Sequence, residues 1–562
     1  MKEEIQKIFK GEVEDSEEVL AKYSRDASLL LIRPKVVVFP KDSADVTSLV
    51  KWVSANKDKY KDLAITARCA GTDMSGAAIG ESIIMDFSRY MNKLIKFEGD
   101  VITVEPGMFY RDFEKITLER GLILPCYTAS KSLNAMGGMY GNNSAGEKTL
   151  KYGKTEKYIH EAKVVFADGQ EYIVKNLSSE ELSQKINEGT FESKIYKNIS
   201  DLITNNGEEI KNAKPKVSKN AAGYYIWNVL NEGGFDLNKL LVGSQGSLGI
   251  ATEISFKLVP NPKYSKLVAI FINDLAPLGS LVDSILELKP ETLEAYDDKT
   301  MKLAVRFFPD FLKNKGVLGM IKFLLSFLPE AFLMAISGGF PKLILLVEFA
   351  GYDNADADKK CIELVKKISN FKLKTHITES QEEANKYWDI RRESFSLLRK
   401  HVNKKHTAPF IDDIIVRPEF LPKFIPELNV ILGKYKLTFT IAGHAGDGNF
   451  HIIPLMDFSR EDTARIIMEL SESVYDLVAR YHGSITAEHN DGIIRTPFLP
   501  KMYDAKVISI FRDIKYTFDP LNIFNPGKKV AIENVSGLPP QAGTKEYITL
   551  HVAREHSASH KV

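Results

Sequence analysis

A chain of 562 residues is longer than one hydrophobic core sustains, so two or three domains are expected. Its 75 Lys and Arg against 74 Asp and Glu leave a formal charge of +1, which removes the long-range field a nucleic-acid partner requires. Three widely spaced cysteines, Cys69, Cys126 and Cys361, give neither a disulfide framework nor an iron–sulfur cluster by spacing.

The N-terminal stretch Met1 to Lys10 is charged and lacks the apolar run of a secretory signal, which makes a cytoplasmic location the default expectation. Residues 1–32 read as a helical lead-in. Val36 to Phe39 is a β-branched run closed by Pro40 and predicts a buried strand. Asp42 and Ser43 then offer a helix cap, with Val46, Leu49, Val50 and Val53 at helical spacing. Leu63 to Ala67, Ser82 to Asp86, Val101 to Glu105 and Ala162 to Ala167 are further strand candidates. A boundary falls at Pro260 to Lys263. Beyond it the order helix, apolar block, strand (Leu343 to Phe349) and amphipathic helix (Asp356 to Ile368) suggests an inserted α+β domain over 261–500. A helix in 501–530 returns to the first domain, and 531–562 read as a loosely attached tail. The apolar stretch Gly316 to Ala350 is interrupted by Lys322, Pro329, Glu330, Pro341 and Lys342, so it does not span a membrane.

Three segments are rich in small residues. Arg68 to Gly76 reads R-C-A-G-T-D-M-S-G after a predicted strand, Ala135 to Gly146 reads A-M-G-G-M-Y-G-N-N-S-A-G, and Val242 to Ile250 reads V-G-S-Q-G-S-L-G-I. Such runs expose backbone N–H groups and admit a phosphate closely. The first alone is as well read as a surface turn. Three beside strands suit an extended ligand held by main chain, and a dinucleotide fits that better than a compact substrate.

With the terminal Phe524-Asn525-Pro526-Gly527-Lys528, these segments resemble the glycolate oxidase subunit and D-lactate dehydrogenase group of FAD-linked oxidases, within the vanillyl-alcohol oxidase superfamily. The resemblance runs from about Arg33 to Lys529. It implies an α+β fold: a two-part FAD-binding domain of the vanillyl-alcohol oxidase (PCMH) type over 33–260, with an inserted α+β substrate, or cap, domain. It further implies that Arg68, Gly71, Thr72, Asp73, Met74, Ser75 and Gly76 cradle the FAD pyrophosphate. Ser130, Gly137, Gly138, Asn143 and Gly146 would line the isoalloxazine and ribityl region, and Gly246, Gly249 and Ile250 the adenine half, with Asn525 joining them. Cys69 and Ala70 replace usual glycines, and Gln245 replaces a usual Glu, so a flavin-side hydrogen bond loses its charge. No His stands near Arg68 or Asn143, which makes the expected FAD non-covalent.

A second centre is His444-Ala-Gly-Asp-Gly-Asn-Phe-His451 followed by Glu488-His489-Asn490-Asp491-Gly492. Gly446 and Gly448 argue for a turn that brings both rings to one point, with Glu488 arriving from a later strand. Two imidazoles and a carboxylate are a divalent-metal set, suited to Zn, Mn or Fe; hydrogen-bonded core histidines are the ordinary alternative. The family resemblance makes His444, His451 and Glu488 metal ligands and His489 the base. Arg391, in Trp388-Asp-Ile-Arg391, matches the family's W-x-x-R segment and is the expected clamp on a substrate carboxylate. Phe395 and Phe410 stand in place of a hydroxyl residue and a Lys, which favours a monocarboxylate.

The leading expectation is an FAD-dependent dehydrogenase of a small, lactate-like D-2-hydroxy acid. It would pass electrons to a separate acceptor: a quinone, an electron-transfer flavoprotein or an iron–sulfur protein. An FAD oxidase of an alditol or sugar acid using O2 is the nearest alternative. A flavin-free metal hydrolase and a flavin-binding subunit without chemistry belong to other classes. Residues 313–340 read first as a core or lid helix and second as a hairpin making peripheral contact with a membrane.

Overall fold

The computed structural model describes residues 1–306, 341–400, 405–435, 437–534 and 539–552. The segment 313–340, read first as a core or lid helix and second as a membrane-contacting hairpin, lies outside the described residues. Among those described, no helix is long and apolar enough to cross a membrane.

Strands β1 (Glu12–Glu14), β2 (Val36–Phe39), β3 (Ile65–Arg68) and β4 (Ile83–Asp86) form a first sheet in the order β1-β2-β4-β3. β2, β4 and β3 run parallel, and the unbroken apolar runs of β2 and β4 are buried on both faces. The lead-in thus adds a strand to its two helices, since β1 pairs antiparallel with β2. Helix α1 (Ser43–Asn56) starts where Asp42 accepts the Asp45 N–H, and it buries Val46, Leu49, Val50 and Val53. A second, antiparallel sheet holds β5 (Leu94–Glu98), β6 (Val101–Val104), β7 (Ile159–Val165), β8 (Glu171–Lys175) and β9 (Ile250–Lys257) in the order β5-β6-β9-β7-β8. Helix α2 (Met136–Asn142) falls between β6 and β7 in sequence.

The third sheet begins right after the Pro260 to Lys263 boundary. It contains β10 (Tyr264–Ile272), β11 (Thr292–Asp297), β12 (Leu343–Gly351), β13 (Lys374–Ile377), β14 (His406–Thr407), β15 (Ile414–Ile415), β16 (Thr438–His444) and β17 (Asn449–Met456). Its order is β13-β10-β12-β11-β16-β17-β14, with β15 also on β17, and the pairing is antiparallel throughout. Register decides what each face carries. Tyr296 lies opposite Ala442, and Ala442 opposite His451, so alternation puts Glu294, His444 and His451 on one face. The same face carries Ile344 and Leu346, covered by Tyr387 and Trp388 of a long helix. The other face, with Leu293, Ala295, Leu345 and Val347, joins the large core.

Helices α3 (Asn354–Lys367) and α4 (Gln381–Lys400), the latter carrying Tyr387 and Trp388, belong to this region. After α5 (Ala505–Phe518) the chain returns to the first sheet, where Ile65 N–H donates to Ile523 O and Asn525 N–H to Ile65 O. The expected loose tail is corrected over its first part. Helix α6 (Lys545–His551) buries Tyr547 and Ile548, and the Leu31 N–H donates to His551 O. A seven-residue helix is too short to show periodicity amid Pro and Gly, which is why composition misses it.

Candidate active site

Strands β16 and β17 are joined by the tight turn 445–448. Gly448 has a φ of +73°, and a Cβ built there would lie 1.9 Å from Val416 O. The reversal brings His444 and His451 together, with ring centroids 5.3 Å apart, and His489 stacks on His451 at 4.9 Å. Glu488 comes from a loop rather than the expected strand. Asp413 Oδ2 holds that loop by accepting the N–H groups of Ala487, Glu488 and His489 and the Thr486 hydroxyl. Asn490, with φ +73°, turns the chain immediately afterwards. Adjacent Glu488 and His489 can therefore both face the cluster.

The three imidazoles converge through Nε2 on one oxygen, Glu488 Oε1, at 3.1 Å from His444, 3.4 Å from His451 and 4.0 Å from His489. Each Nδ1 faces a carboxylate. His444 Nδ1 is 2.5 Å from Glu294 Oε1, His451 Nδ1 is 3.1 Å from Asp412 Oδ1, and His489 Nδ1 is 2.7 Å from Asp412 Oδ2 at an angle poor for a hydrogen bond. A carboxylate behind each ring fixes which nitrogen is presented forward, the outer-shell pattern of metal-binding histidines. Asp413 also has an oxygen within 4.8 Å of ligand atoms on His451, Glu488 and His489. Its Oδ2 already accepts four bonds and its Oδ1 takes one from Asn449, so we assign it to the loop and not to a ligand set.

Burial favours neutral imidazoles, but Asp412 outweighs it and pushes His451 up to about 10. His444 and His489 are raised against burial in the same way, by Glu294 and by Asp412. Burial alone would lift Glu488, yet Lys219 and His444 hold it well below the usual carboxylate range. His444 and Arg391 likewise outweigh burial to hold Glu294 low. Arg391 donates from Nε to Glu294 Oε2 at 3.1 Å, with Nη2 at 3.0 Å from the same oxygen, which puts the expected clamp one carboxylate away from His444. The side chain of Phe395 lies outside the described residues, and Phe410 is wholly buried in the large core. Sequence reading missed Glu294, Asp412, Asp413 and Lys219. The Asp-Asp pair inside the apolar run F-I-D-D-I-I is a signal that was available for two of them.

The three small-residue segments adjoin. Asn142 Nδ2 donates to Asp73 Oδ1, and Gln245 Nε2 donates to Ser75 Oγ and to Asn142 Oδ1. In the first loop Asp73 accepts the Ser75 and Ala77 N–H groups and fixes the turn. Among the described residues, no acceptor takes those of Thr72, Met74 and Gly76. A Cβ built on Gly138 would meet nothing within 4 Å, and one on Gly141 only Gln245 Cα at 3.9 Å. Unpartnered N–H groups beside open space suit a pyrophosphate and a flat ring, so these residues fit FAD.

Other expected cofactor residues are engaged within the protein. Arg68 donates to Arg25 O and Ala78 O and lies under Gly71, bracing the loop from inside. Gly137 and Gly146 give room to the backbone of Pro106 and Tyr127. Ser130 Oγ is bonded to Thr128 Oγ1, and Asn143, left-handed at the end of α2, accepts the Glu156 N–H. Gly246 turns at φ +67° near Ala67. Gly249 and Ile250 pack on β7, where a Cβ on Gly249 would lie 2.8 Å from Val164. Asn525 donates to Ala77 O and Gln245 O and ties two loops together.

The chain is 25% identical over 534 residues to a D-2-hydroxyglutarate dehydrogenase of Escherichia coli, covering 93% of this chain but 51% of that protein. It spans about half the length of the first several curated relatives it matches. A glycolate oxidase subunit GlcD of Bacillus subtilis is 26% identical, with 89% of each chain covered. A D-lactate dehydrogenase of Archaeoglobus fulgidus is 23% identical, with 90% and 95% covered. A solved p-cresol methylhydroxylase shares the fold at a TM-score of 0.66 and 15% identity, covering 93% of this chain and 95% of that one. An FAD binding domain matches residues 34–174 and the C-terminal domain of FAD linked oxidases matches 261–529, so the chain belongs to the FAD-linked oxidases.

Proposed function

We propose that the protein is an FAD-dependent dehydrogenase of a small, lactate-like D-2-hydroxy acid, working with a divalent metal and a histidine base. The observation that carries this reading is the convergence of three imidazole Nε2 atoms on Glu488 Oε1 beside the Arg391–Glu294 pair. FAD in the 68–76 and 135–146 loops supplies a hydride acceptor, and Zn, Mn or Fe on His444, His451 and Glu488 supplies a Lewis acid. Arg391 binds the substrate carboxylate and so aims the C2 hydrogen. His489 takes the hydroxyl proton at Nε2, and the Asp412 carboxylate 2.7 Å from Nδ1 stabilises the resulting positive charge. Its side chain is 26% exposed, against 8% for His444 and 14% for His451, so it can return that proton to solvent.

Burial pushes the Cys69 and Cys126 thiols up to about 12, which supports non-covalent FAD. The named activities of the relatives span D-2-hydroxyglutarate, glycolate and D-lactate. Phe395 and Phe410, standing where a hydroxyl residue and a Lys would serve a second carboxylate, favour the monocarboxylates. Electrons then pass to a separate acceptor: a quinone, an electron-transfer flavoprotein or an iron–sulfur protein.

The test is anaerobic mixing of the holoenzyme with D- and L-lactate, glycolate and D-2-hydroxyglutarate, with and without chelator, following flavin bleaching. D-lactate should bleach fastest, L-lactate should not bleach, and chelator should stop the reaction. Faster bleaching by D-2-hydroxyglutarate would move the substrate to the dicarboxylates. Bleaching untouched by chelator would remove the metal.

A further inference from the structure

Lys219 precedes the third sheet by more than forty residues of sequence, yet its ammonium ends at the histidine cluster. The side chain is 2% exposed, with Nζ 3.0 Å from Asp447 Oδ2 and 3.3 Å from Glu488 Oε2. Its neighbour Ser218 donates from Oγ to the other oxygen of Asp447 at 2.6 Å. Asp447 lies in the turn between β16 and β17, so this dipeptide grips that turn and the Glu488 loop at once. The grip continues along the loop. The Ala221 N–H donates to Thr486 O, Ser484 Oγ to Asn220 Oδ1, and the Gly223 N–H to Asp491 Oδ2.

The two oxygens of Glu488 thereby face different partners: Oε2 faces the ammonium, and Oε1 faces His444 and His451. A free carboxylate can ligate a cation through one oxygen or both. One whose second oxygen is held by a buried ammonium has only the first to give. We propose that Lys219 is a positioning residue that assigns the two oxygens of Glu488, reserving Oε1 for the metal and keeping Oε2 off it. This rests on the metal reading above. An outer-shell contact of this kind is commonly worth 10- to 100-fold in metal affinity.

The experiment uses the flavin-loaded protein, stripped with chelator and titrated with Mn²⁺ and Zn²⁺, as wild type, Lys219→Met and Lys219→Arg. X-ray absorption counts the oxygen neighbours of bound Zn. Wild type should bind one ion tightly. Lys219→Met should bind it roughly 10- to 100-fold more weakly and add an oxygen neighbour as Glu488 becomes bidentate, with unchanged flavin content. Lys219→Arg should stay within a few-fold of wild type. Because Lys219→Met leaves Asp447 buried and unpaired, the double variant Lys219→Met/Asp447→Asn carries the same comparison if the single one does not fold. Wild-type affinity together with an unchanged oxygen count in the folded Lys219→Met protein, or in the double variant, would overturn the proposal. Failure of the wild type itself to bind either ion would overturn the metal reading and the proposal with it.

Discussion

Glu488 and His489 are neighbours with different assignments, and the local backbone makes that workable. Regular strand geometry would send them to opposite faces, but Asp413 curls the loop by collecting their N–H groups. Glu488→Gln should lower metal content and activity together, and excess metal should restore part of both. His489→Asn should keep metal and flavin yet slow flavin reduction by roughly 10²–10⁴-fold, the usual worth of a positioned base. Metal analysis beside stopped-flow bleaching checks both, and the opposite pattern would exchange the two roles. Arg391→Met should weaken hydroxy-acid binding at least about a hundredfold, since a buried carboxylate that loses a charged partner costs about 3–5 kcal/mol. The flavin spectrum should stay unchanged. An apparent affinity within a factor of two of wild type would confine Arg391 to holding Glu294. At this scale the clustering of His444, His451, Glu488 and His489 was legible, because glycine-flanked histidines and an acid form a recognisable run. Their supports were not. Glu294 sits in an ordinary strand pattern, T-L-E-A-Y-D, and only the register that sets it beside His444 reveals its purpose.

Strands and helices were legible wherever one period dominates. The β-branched run of β2 and the Asp42 cap of α1 stand where sequence places them. Alternation also leaves a polar residue at the end of a buried face. On β12, Ile344 and Leu346 lie under α4, and Glu348 follows on the same side, where it lines a cavity of about 220 Å³ with Tyr127, Glu147, Lys148, Trp388 and Arg392. Burial pushes Glu348 up to about 7 against the pull of Lys148. Sign follows from linkage. Between about 4.5 and about 7 the unfolded chain has released this proton and the folded one has not, so stability falls as pH rises through that window and levels off above it. Solvent in the cavity reduces the effect, leaving on the order of 1–3 kcal/mol. Glu348→Gln should therefore be more stable than wild type by that amount at pH 8 and equal to it at pH 4, as read from urea unfolding across the range. A difference that does not change with pH would show that Glu348 ionises normally.

The whole molecule is organised by a junction that no single motif announces. Ser75 of the first loop, Gly141 and Asn142 of the second, Gly492 after the histidine loop and Asn525 near the C-terminus all bond to Gln245. Each motif was legible by composition, because small residues in close-packed turns leave a local signature. Their meeting was not, since it joins positions up to 450 residues apart. Read from sequence, Gln245 was a lost charge on a flavin contact; in the fold its amide is a protein clasp. Nε2 donates to Ser75 Oγ and Asn142 Oδ1, and Oε1 accepts the Gly492 N–H at 2.8 Å. A carboxylate in its place can still accept from Gly492 but has no hydrogen to give. Ser75 and Asn142 already donate to Asp73, so either could turn to the new carboxylate only by abandoning the old one. Gln245→Glu should accordingly destabilise the protein by about 1–3 kcal/mol, the cost of leaving a buried polar partner unsatisfied. Because the junction seats the first small-residue loop against α2, the variant should also release flavin at lower urea than wild type, before global unfolding. Fluorescence of freed flavin recorded beside far-UV circular dichroism in one urea series separates the two events. Coincident transitions at the wild-type midpoint would mean that the clasp contributes nothing to holding the cofactor loops together.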